Sequence, residues 1–155
     1  MTGGPPSWPA ELHPSGTLRH LVELAAARSR ITDRLGVQRL VDAWLAWTPT
    51  PDGTYPDQHW WAFSLFDDIE RWADEDLYRK IVLRFIDAAD DEQLWHVAAH
   101  PLEDFLTDND ERLTWMEQIA TQSPRFRRAL GGVWTDSKEP ATAARIERVA
   151  DPGDI

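Results

Sequence analysis

Two histidines and a glutamate with the spacing of a helical metal site occur in LWHVAAHPLEDFL, residues 94–106. His96 and His100 are four residues apart, and Glu103 follows three residues later. On one helix this spacing places the imidazole and carboxylate groups on a common face, where they could bind zinc and activate a water molecule. Such a site requires the helix to continue through His100.

Pro101 instead favours the end of a helix at this point. The residue before a proline is disfavoured in the α region, and proline is favoured as the first residue of a helix. We therefore interpret His100, Pro101 and Glu103 as a structural joint between two helices, with His100 as the N-cap. Glu103 then stands at the third helical position, where its carboxylate can accept a hydrogen bond from the backbone N–H of the cap. No metal site is predicted.

Other catalytic motifs are absent from the sequence. The chain contains no cysteine, which excludes thiolate metal ligands, disulfides and cysteine nucleophiles. It also has no G-x-S-x-G elbow, phosphate-binding loop, H-E-x-x-H motif or glycine-rich dinucleotide fingerprint. We predict no catalytic residue and no cofactor. Enzyme status stays open, because nothing in the sequence singles out a catalytic pair among so many carboxylates.

The net charge of −11 is concentrated in the middle of the chain. Residues 67–111 contain 15 acidic and four basic residues, whereas the remainder contains 12 of each. A surface of this kind repels nucleic acid and attracts a basic protein. The alternative is an ordinary solvated surface, with acidic residues in the first turns of helices where the helix dipole favours them.

We predict that this acidic segment binds a protein with a basic surface. Adjacent residues on a helix point about 100° apart, so Trp60 and Trp61 cannot both face the interior. One of them, or Trp8, is expected to be exposed as an interaction anchor. The predicted partner-binding residues are Asp67, Asp68, Asp87, Asp90, Asp91, Glu92, Asp108, Asp110, Glu111 and Trp60.

The elements that carry these residues are predicted to be helices. Apolar residues recur at helical spacing from Thr17 onward, and no segment alternates in the manner of a strand. The predicted fold class is all-α, an irregular multi-helix bundle or short α-solenoid of about eight or nine short helices. Three regions are predicted: a flexible arm over residues 1–16, a single helical domain over 17–149 and a C-terminal tail over 150–155.

The C-terminal half resembles an uncharacterised family of small bacterial helical domains. The resemblance is carried by AAHPLEDFL (98–106), RFRRALGGVW (125–134) and AARIERV (143–149). Family members have glycine at the position of His100 and a His-Gly pair near the present DND, and this sequence departs from them at both places. The resemblance implies a helical bacterial domain and carries no activity across.

A cytoplasmic protein is expected from the sequence. No segment reaches the roughly 20 apolar residues that a membrane-spanning helix requires, and the N-terminal residues include neither a basic start nor an apolar run. The leading interpretation is a small acidic protein-binding module, in particular an immunity- or antitoxin-like inhibitor of a basic partner. A carboxylate-based hydrolase and a homo-oligomeric scaffold built on exposed tryptophans are the alternatives, and the oligomeric state is left open.

Overall fold

The computed structural model describes three stretches of the chain, residues 36–47, 59–72 and 75–151. Within the second stretch, the side chains of Asp68 and residues 70–72 are not described. These three stretches form helices and no strand, which confirms the all-α prediction. The predicted arm, the helix expected from Thr17 and the end of the predicted tail lie outside the described residues.

Seven helices occur in the described stretches. The fourth helix, α4, runs without a break over residues 91–105 and combines the α-helical segments Asp91–Val97 and Glu103–Phe105 with a π-helical turn, Ala98–Leu102, between them. The other six are α1 Gly36–Ala46, α2 Trp60–Trp72, α3 Glu75–Ala88, α5 Asp110–Gln122, α6 Pro124–Leu130 and α7 Pro140–Val149.

The chain packs as two compact units, Met1–Arg84 and Phe85–Ile155, and the boundary between them falls inside α3. The single domain expected over residues 17–149 stays a prediction. Within the described stretches, the helices are too short or too polar for any of them to cross a bilayer.

The N-terminal unit is held together by aromatic packing between α1 and α2. The indole of Trp44 is almost completely buried and meets the ring of Phe66 edge-on, with 6.1 Å between the ring centroids. The ring of Trp47 lies 4.3 Å from that of Phe63. Aromatic pairs of this kind contribute about 0.5–1.5 kcal/mol each in addition to the burial of their apolar surface.

In the C-terminal unit, α6 packs against α4, α5 and α7. The side chains of Phe126 and Leu130 are each 1% exposed, and the ring of Phe126 meets that of Trp115 in α5 edge-on at 5.7 Å. The helix begins as the sequence predicts: the Ser123 hydroxyl accepts a hydrogen bond from the backbone N–H of Phe126 at 3.1 Å, and Pro124 is the first helical residue. The short helix α6 therefore lies at the centre of this unit.

The start of α4 also agrees with the sequence. The carboxylate of Asp90 accepts a hydrogen bond from the backbone N–H of Gln93 at 2.8 Å. The side-chain oxygen of Gln93 accepts one in return from the backbone N–H of Asp90 at 2.9 Å. This reciprocal capping box satisfies two backbone donors that have no partner within the helix.

The helix end predicted at His100 is replaced by the π turn, so two predicted helices form one. In a regular α-helix the ring of Pro101 would collide with the carbonyl four residues earlier, and proline has no N–H to bond to that carbonyl. A π turn connects residues five apart and so accommodates the proline. Pro101 and Leu102 are buried, and this burial favours continuing the helix. His100 consequently lies inside the turn and does not cap a helix, and Glu103 is not at the third position of a new one.

Candidate functional site

The three residues with metal-site spacing do not share a site. The imidazole rings of His96 and His100 meet edge-on with their centroids 5.6 Å apart. The carboxylate of Glu103 points elsewhere and accepts a hydrogen bond from the backbone N–H of Trp134 at 3.4 Å. His100 Nδ1 lies 4.0 Å from a carboxylate oxygen of Asp104. In the part of the chain that the structure describes, no three His, Asp or Glu side chains are grouped to hold a metal ion.

Burial, and to a lesser extent the neighbouring His100, lowers the pKa of His96 below its ordinary value of 6.5. Between this lowered pKa and 6.5, the unfolded chain binds more protons than the folded one. The contribution of His96 to the free energy of unfolding is therefore constant well above pH 6.5 and falls as the pH decreases through this range.

Replacing His96 with glutamine is expected to remove the part of the decrease in stability below about pH 6.5 that His96 causes. The measurement is urea unfolding of the full chain at a series of pH values. His100→Gln serves as the control, because it removes only the smaller of the two causes and should reduce the decrease without abolishing it. An unchanged pH dependence in His96→Gln would show that another group is responsible.

The predicted partner-binding carboxylates of the C-terminal unit form two groups at the two ends of α4. All seven of these residues are exposed. The helix between the groups is about 20 Å long at ~1.5 Å per residue, so one basic side chain cannot contact both. Asp87, Asp90, Asp91 and Glu92 lie near its start, and Asp108, Asp110 and Glu111 lie beyond its end. We call these seven residues the acidic surface.

The other three predicted residues belong to the N-terminal unit. Asp67 is half-buried, and the side chain of Asp68 lies outside the described residues. Trp60 is 39% exposed whereas Trp61 is buried, as expected for two adjacent residues on a helix. The indole ring of Trp60 is only partly exposed, because it also contacts the ring of Phe63, with 5.2 Å between the ring centroids.

Two members of the acidic surface are already paired with arginines. Asp110 accepts a hydrogen bond from Arg145 at 2.7 Å, and Asp91 lies 3.4 Å from Arg128. The hydrogen bond from Arg145 to Glu117 raises the pKa of Arg145 above its ordinary value, and the hydrogen bond to Asp110 adds a smaller effect in the same direction. The other five members make no ion pair with any described residue. Asp90 caps α4 and Asp108 accepts a hydrogen bond from Thr142, whereas Asp87, Glu92 and Glu111 make no side-chain hydrogen bond with a described residue either.

Most basic side chains of the C-terminal unit bind to the backbone at the ends of helices. The last carbonyl groups of a helix have no donor within it and carry a partial negative charge, so they favour cations. Four of the seven Lys and Arg residues between 85 and 151 donate hydrogen bonds to such carbonyl oxygens. They are Arg125 to Ile86 and Ala89, Arg112 to Phe105, Lys138 to Glu103 and Leu106, and Arg127 to Ala120.

This arrangement separates the charges within the unit. Residues 85–151 contain 14 acidic and seven basic residues, a net charge of −7. Four of the seven cations are held at helix C-termini, whereas Asp90, Asp91, Glu92, Asp110 and Glu111 lie in or beside the first turns of α4 and α5 and are exposed. The acidic surface thus keeps a strong negative potential, which can attract positively charged groups from solution.

Two adjacent glycines bring the segment after α6 close to its neighbours. A Cβ on Gly132 would lie 2.9 Å from Ala98 Cβ and 2.9 Å from Cε3 of Trp95, and a Cβ on Gly131 would lie 2.5 Å from the backbone oxygen of Asp151. Any side chain at either position would therefore displace the packing. Trp95 and the following Trp134 remain 43% and 63% exposed, respectively.

Sequence reasoning singled out only Trp60, Trp61 and Trp8 as candidates for exposure and so did not identify these two tryptophans as surface residues. Trp95 follows Leu94, which is buried. The rule that separated Trp60 from Trp61, that adjacent helical residues point about 100° apart, applies equally to this pair. Trp134 lies beyond the two glycines that follow α6, where no helical period constrains its direction.

In the described residues, the C-terminal unit is thus an all-helical domain in which four of the seven cations bind carbonyl oxygens at helix ends and most acidic side chains are exposed. The chain belongs to a family of unknown function, DUF6869, whose model matches residues 50–153. This match confirms the resemblance to such a family and extends it towards the N-terminus beyond the C-terminal half. No curated protein and no solved structure matches the chain.

Proposed function

We propose that this protein is a small acidic binding module that captures a protein with a basic surface. The observation that supports the proposal is the separation of charge in the C-terminal unit. Because Arg112, Arg125, Arg127 and Lys138 donate to carbonyl oxygens at helix ends, none of them forms an ion pair with the acidic surface. Complementary charge of this kind accelerates encounter and selects against acidic competitors.

An immunity- or antitoxin-like inhibitor is the specific form of this proposal. An inhibitor of a basic, nucleic-acid-binding enzyme has to offer negative charge in place of phosphate, and an array of exposed carboxylates provides it. We propose a cytoplasmic location for the same protein. No carboxylate among the described side chains is buried, so no observation favours the alternative of a carboxylate-based hydrolase.

Neutralising the unpaired carboxylates is expected to weaken partner binding about tenfold. The variant Asp87→Asn/Glu92→Gln/Glu111→Gln removes three charges that make no described ion pair, and exposed charge pairs contribute about 0.2–1 kcal/mol each. The experiment uses the full chain as bait in a lysate of the source cell, with elution by a salt gradient and identification of the eluted protein. The dissociation constant for that protein is then measured for both forms of the bait.

The control is Asp136→Asn/Glu139→Gln/Glu147→Gln, which makes the same change in net charge with exposed residues of the same unit outside the acidic surface. It should weaken binding less than the first variant. Capture of an acidic or neutral protein, or equal effects of the two variants on the dissociation constant, would contradict the proposal.

A further inference from the structure

Two exposed indole rings distinguish the surface of the C-terminal unit. Among the described residues, the exposed large apolar side chains are Trp60, Trp95 and Trp134. The ring of Trp60 packs on Trp47 with 6.0 Å between the centroids. The indoles of Trp95 and Trp134 make no hydrogen bond and no ring contact with any described residue. Large exposed aromatic groups of this kind are typical of binding surfaces.

The ring of Trp95 and the backbone of Trp134 border one strip of surface along α4. Gly132 lies against Trp95, as the close approach of its Cβ position shows. Two residues later, the backbone N–H of Trp134 donates to the carboxylate of Glu103. Trp95 and Glu103 are separated by eight residues of one helix, about 12 Å at ~1.5 Å per residue. The chain after α6 therefore runs beside α4 from one indole to the other.

Carboxylates lie beside both ends of this strip. Asp91 and Glu92 precede Trp95 by four and three residues, which places them one helical turn away on the same face, and the side chain of Asp91 is 71% exposed. Near the other end, the side chain of Asp104 is 54% exposed. A cation that approaches either indole therefore also meets negative charge.

We propose that Trp95 and Trp134 bind arginine side chains of a basic protein segment. This inference rests on the proposed function and identifies the groups that the partner supplies. The face of an indole attracts cations more strongly than any other side-chain ring. A guanidinium group can stack on the indole and donate two hydrogen bonds to a carboxylate at the same time, which the compact ammonium of lysine cannot do.

Arg128 of the chain itself occupies part of this environment. Asp91, Trp95 and Arg128 line one shallow depression, and Arg128 lies 3.4 Å from Asp91. An incoming arginine has to compete with Arg128 for that carboxylate. Replacing Arg128 with glutamine should therefore tighten the binding of an arginine peptide, whereas a purely structural role of Arg128 predicts no tightening.

The direct test is nuclear magnetic resonance of the indole N–H groups in the ¹⁵N-labelled full chain. The nine tryptophans give nine indole signals, each assigned by a single substitution. The probe is an acetylated and amidated tetra-arginine peptide, and the matched peptide with citrulline at each position removes the charge while keeping the shape. We expect the signals of Trp95 and Trp134 to shift with the arginine peptide and to remain in place with citrulline.

Substitution then measures the contribution of each ring. Trp134→Ala removes a largely exposed side chain and should raise the dissociation constant of the arginine peptide about two- to fivefold, the range for an exposed cation–π contact. Trp95 is assessed from its signal in the unsubstituted protein, because its ring also packs on Gly132.

The outcomes separate this inference from the proposed function. Shifts of backbone signals on the acidic surface without shifts of the two indoles would overturn the inference and leave the proposed function standing. Indole shifts that persist after neutralisation of the acidic surface would support the inference and contradict the role of those carboxylates. If no signal shifts, the inference is overturned, and the capture experiment alone decides the proposed function. Movement of the two indole signals on dilution alone would identify a second copy of the chain as the occupant and overturn the inference.

Discussion

Replacing Arg125 with methionine is expected to lower the free energy of unfolding by about 2–4 kcal/mol. The guanidinium donates to the backbone oxygens of Ile86, at 2.5 Å, and Ala89, which close the end of α3. Methionine keeps much of the aliphatic volume but leaves both carbonyl groups without this donor. Hydrogen bonds to a charged group contribute about 1.5–3 kcal/mol each when partly buried. In the variant, water can donate to the two carbonyl oxygens in place of the guanidinium, which reduces the loss of stability. Urea unfolding followed by circular dichroism measures the change.

The neighbouring Arg128→Met is the matched control. Its 3.4 Å pair with Asp91 is exposed on both sides, and pairs of this kind contribute about 0–1 kcal/mol. Arg125→Lys should recover only part of the loss, because a single ammonium does not reproduce the two-pronged geometry of a guanidinium. Equal small effects of Arg125→Met and Arg128→Met would contradict the helix-closing role of Arg125.

Replacing Phe126 with alanine is expected to cost about 3–5 kcal/mol, the largest effect among the substitutions considered. The ring is 1% exposed and meets Trp115 edge-on at 5.7 Å, within the helix that α4, α5 and α7 surround. Alanine loses the transfer free energy of the ring and leaves a cavity that the three surrounding helices cannot fill by moving independently. Urea or thermal unfolding of the full chain measures the loss.

Phe126→Leu provides the control for this substitution. It fills part of the cavity and should cost less than half as much as alanine, with the edge-on aromatic contact as the main loss. A loss below about 1 kcal/mol for Phe126→Ala would mean that α6 is not at the centre of the core.

Features that depend on neighbouring residues could be predicted from the sequence. Asp90 caps α4 and Ser123 caps α6, because a cap needs only a short polar side chain and a donor two or three residues later. At His100 the local rule for a residue before proline favoured a break, but burial of Pro101 and Leu102 by the rest of the unit favours a π turn in a continuous helix.

Features that join distant parts of the chain could not be predicted. Arg125 reaches Ile86 across 39 residues, and Lys138 reaches Glu103 across 35. No spacing rule connects such residues, so the total charge of the segment could be counted from the sequence, but the positions of the compensating cations could not be predicted. The exposure of Trp95 likewise depends on Gly132, which is distant in sequence and adjacent in space.

The most direct test of the charge-separated surface is the dependence of partner binding on salt. The dissociation constant for the captured basic protein is measured at increasing sodium chloride concentrations for the unchanged chain and the two charge-matched variants. We expect a steep dependence for the unchanged chain, a clearly shallower one for Asp87→Asn/Glu92→Gln/Glu111→Gln, and a nearly unchanged one for Asp136→Asn/Glu139→Gln/Glu147→Gln, because salt screens the charges that contact the partner. Three equal slopes would contradict a specific role of the acidic surface and leave only the net charge of the chain to explain binding.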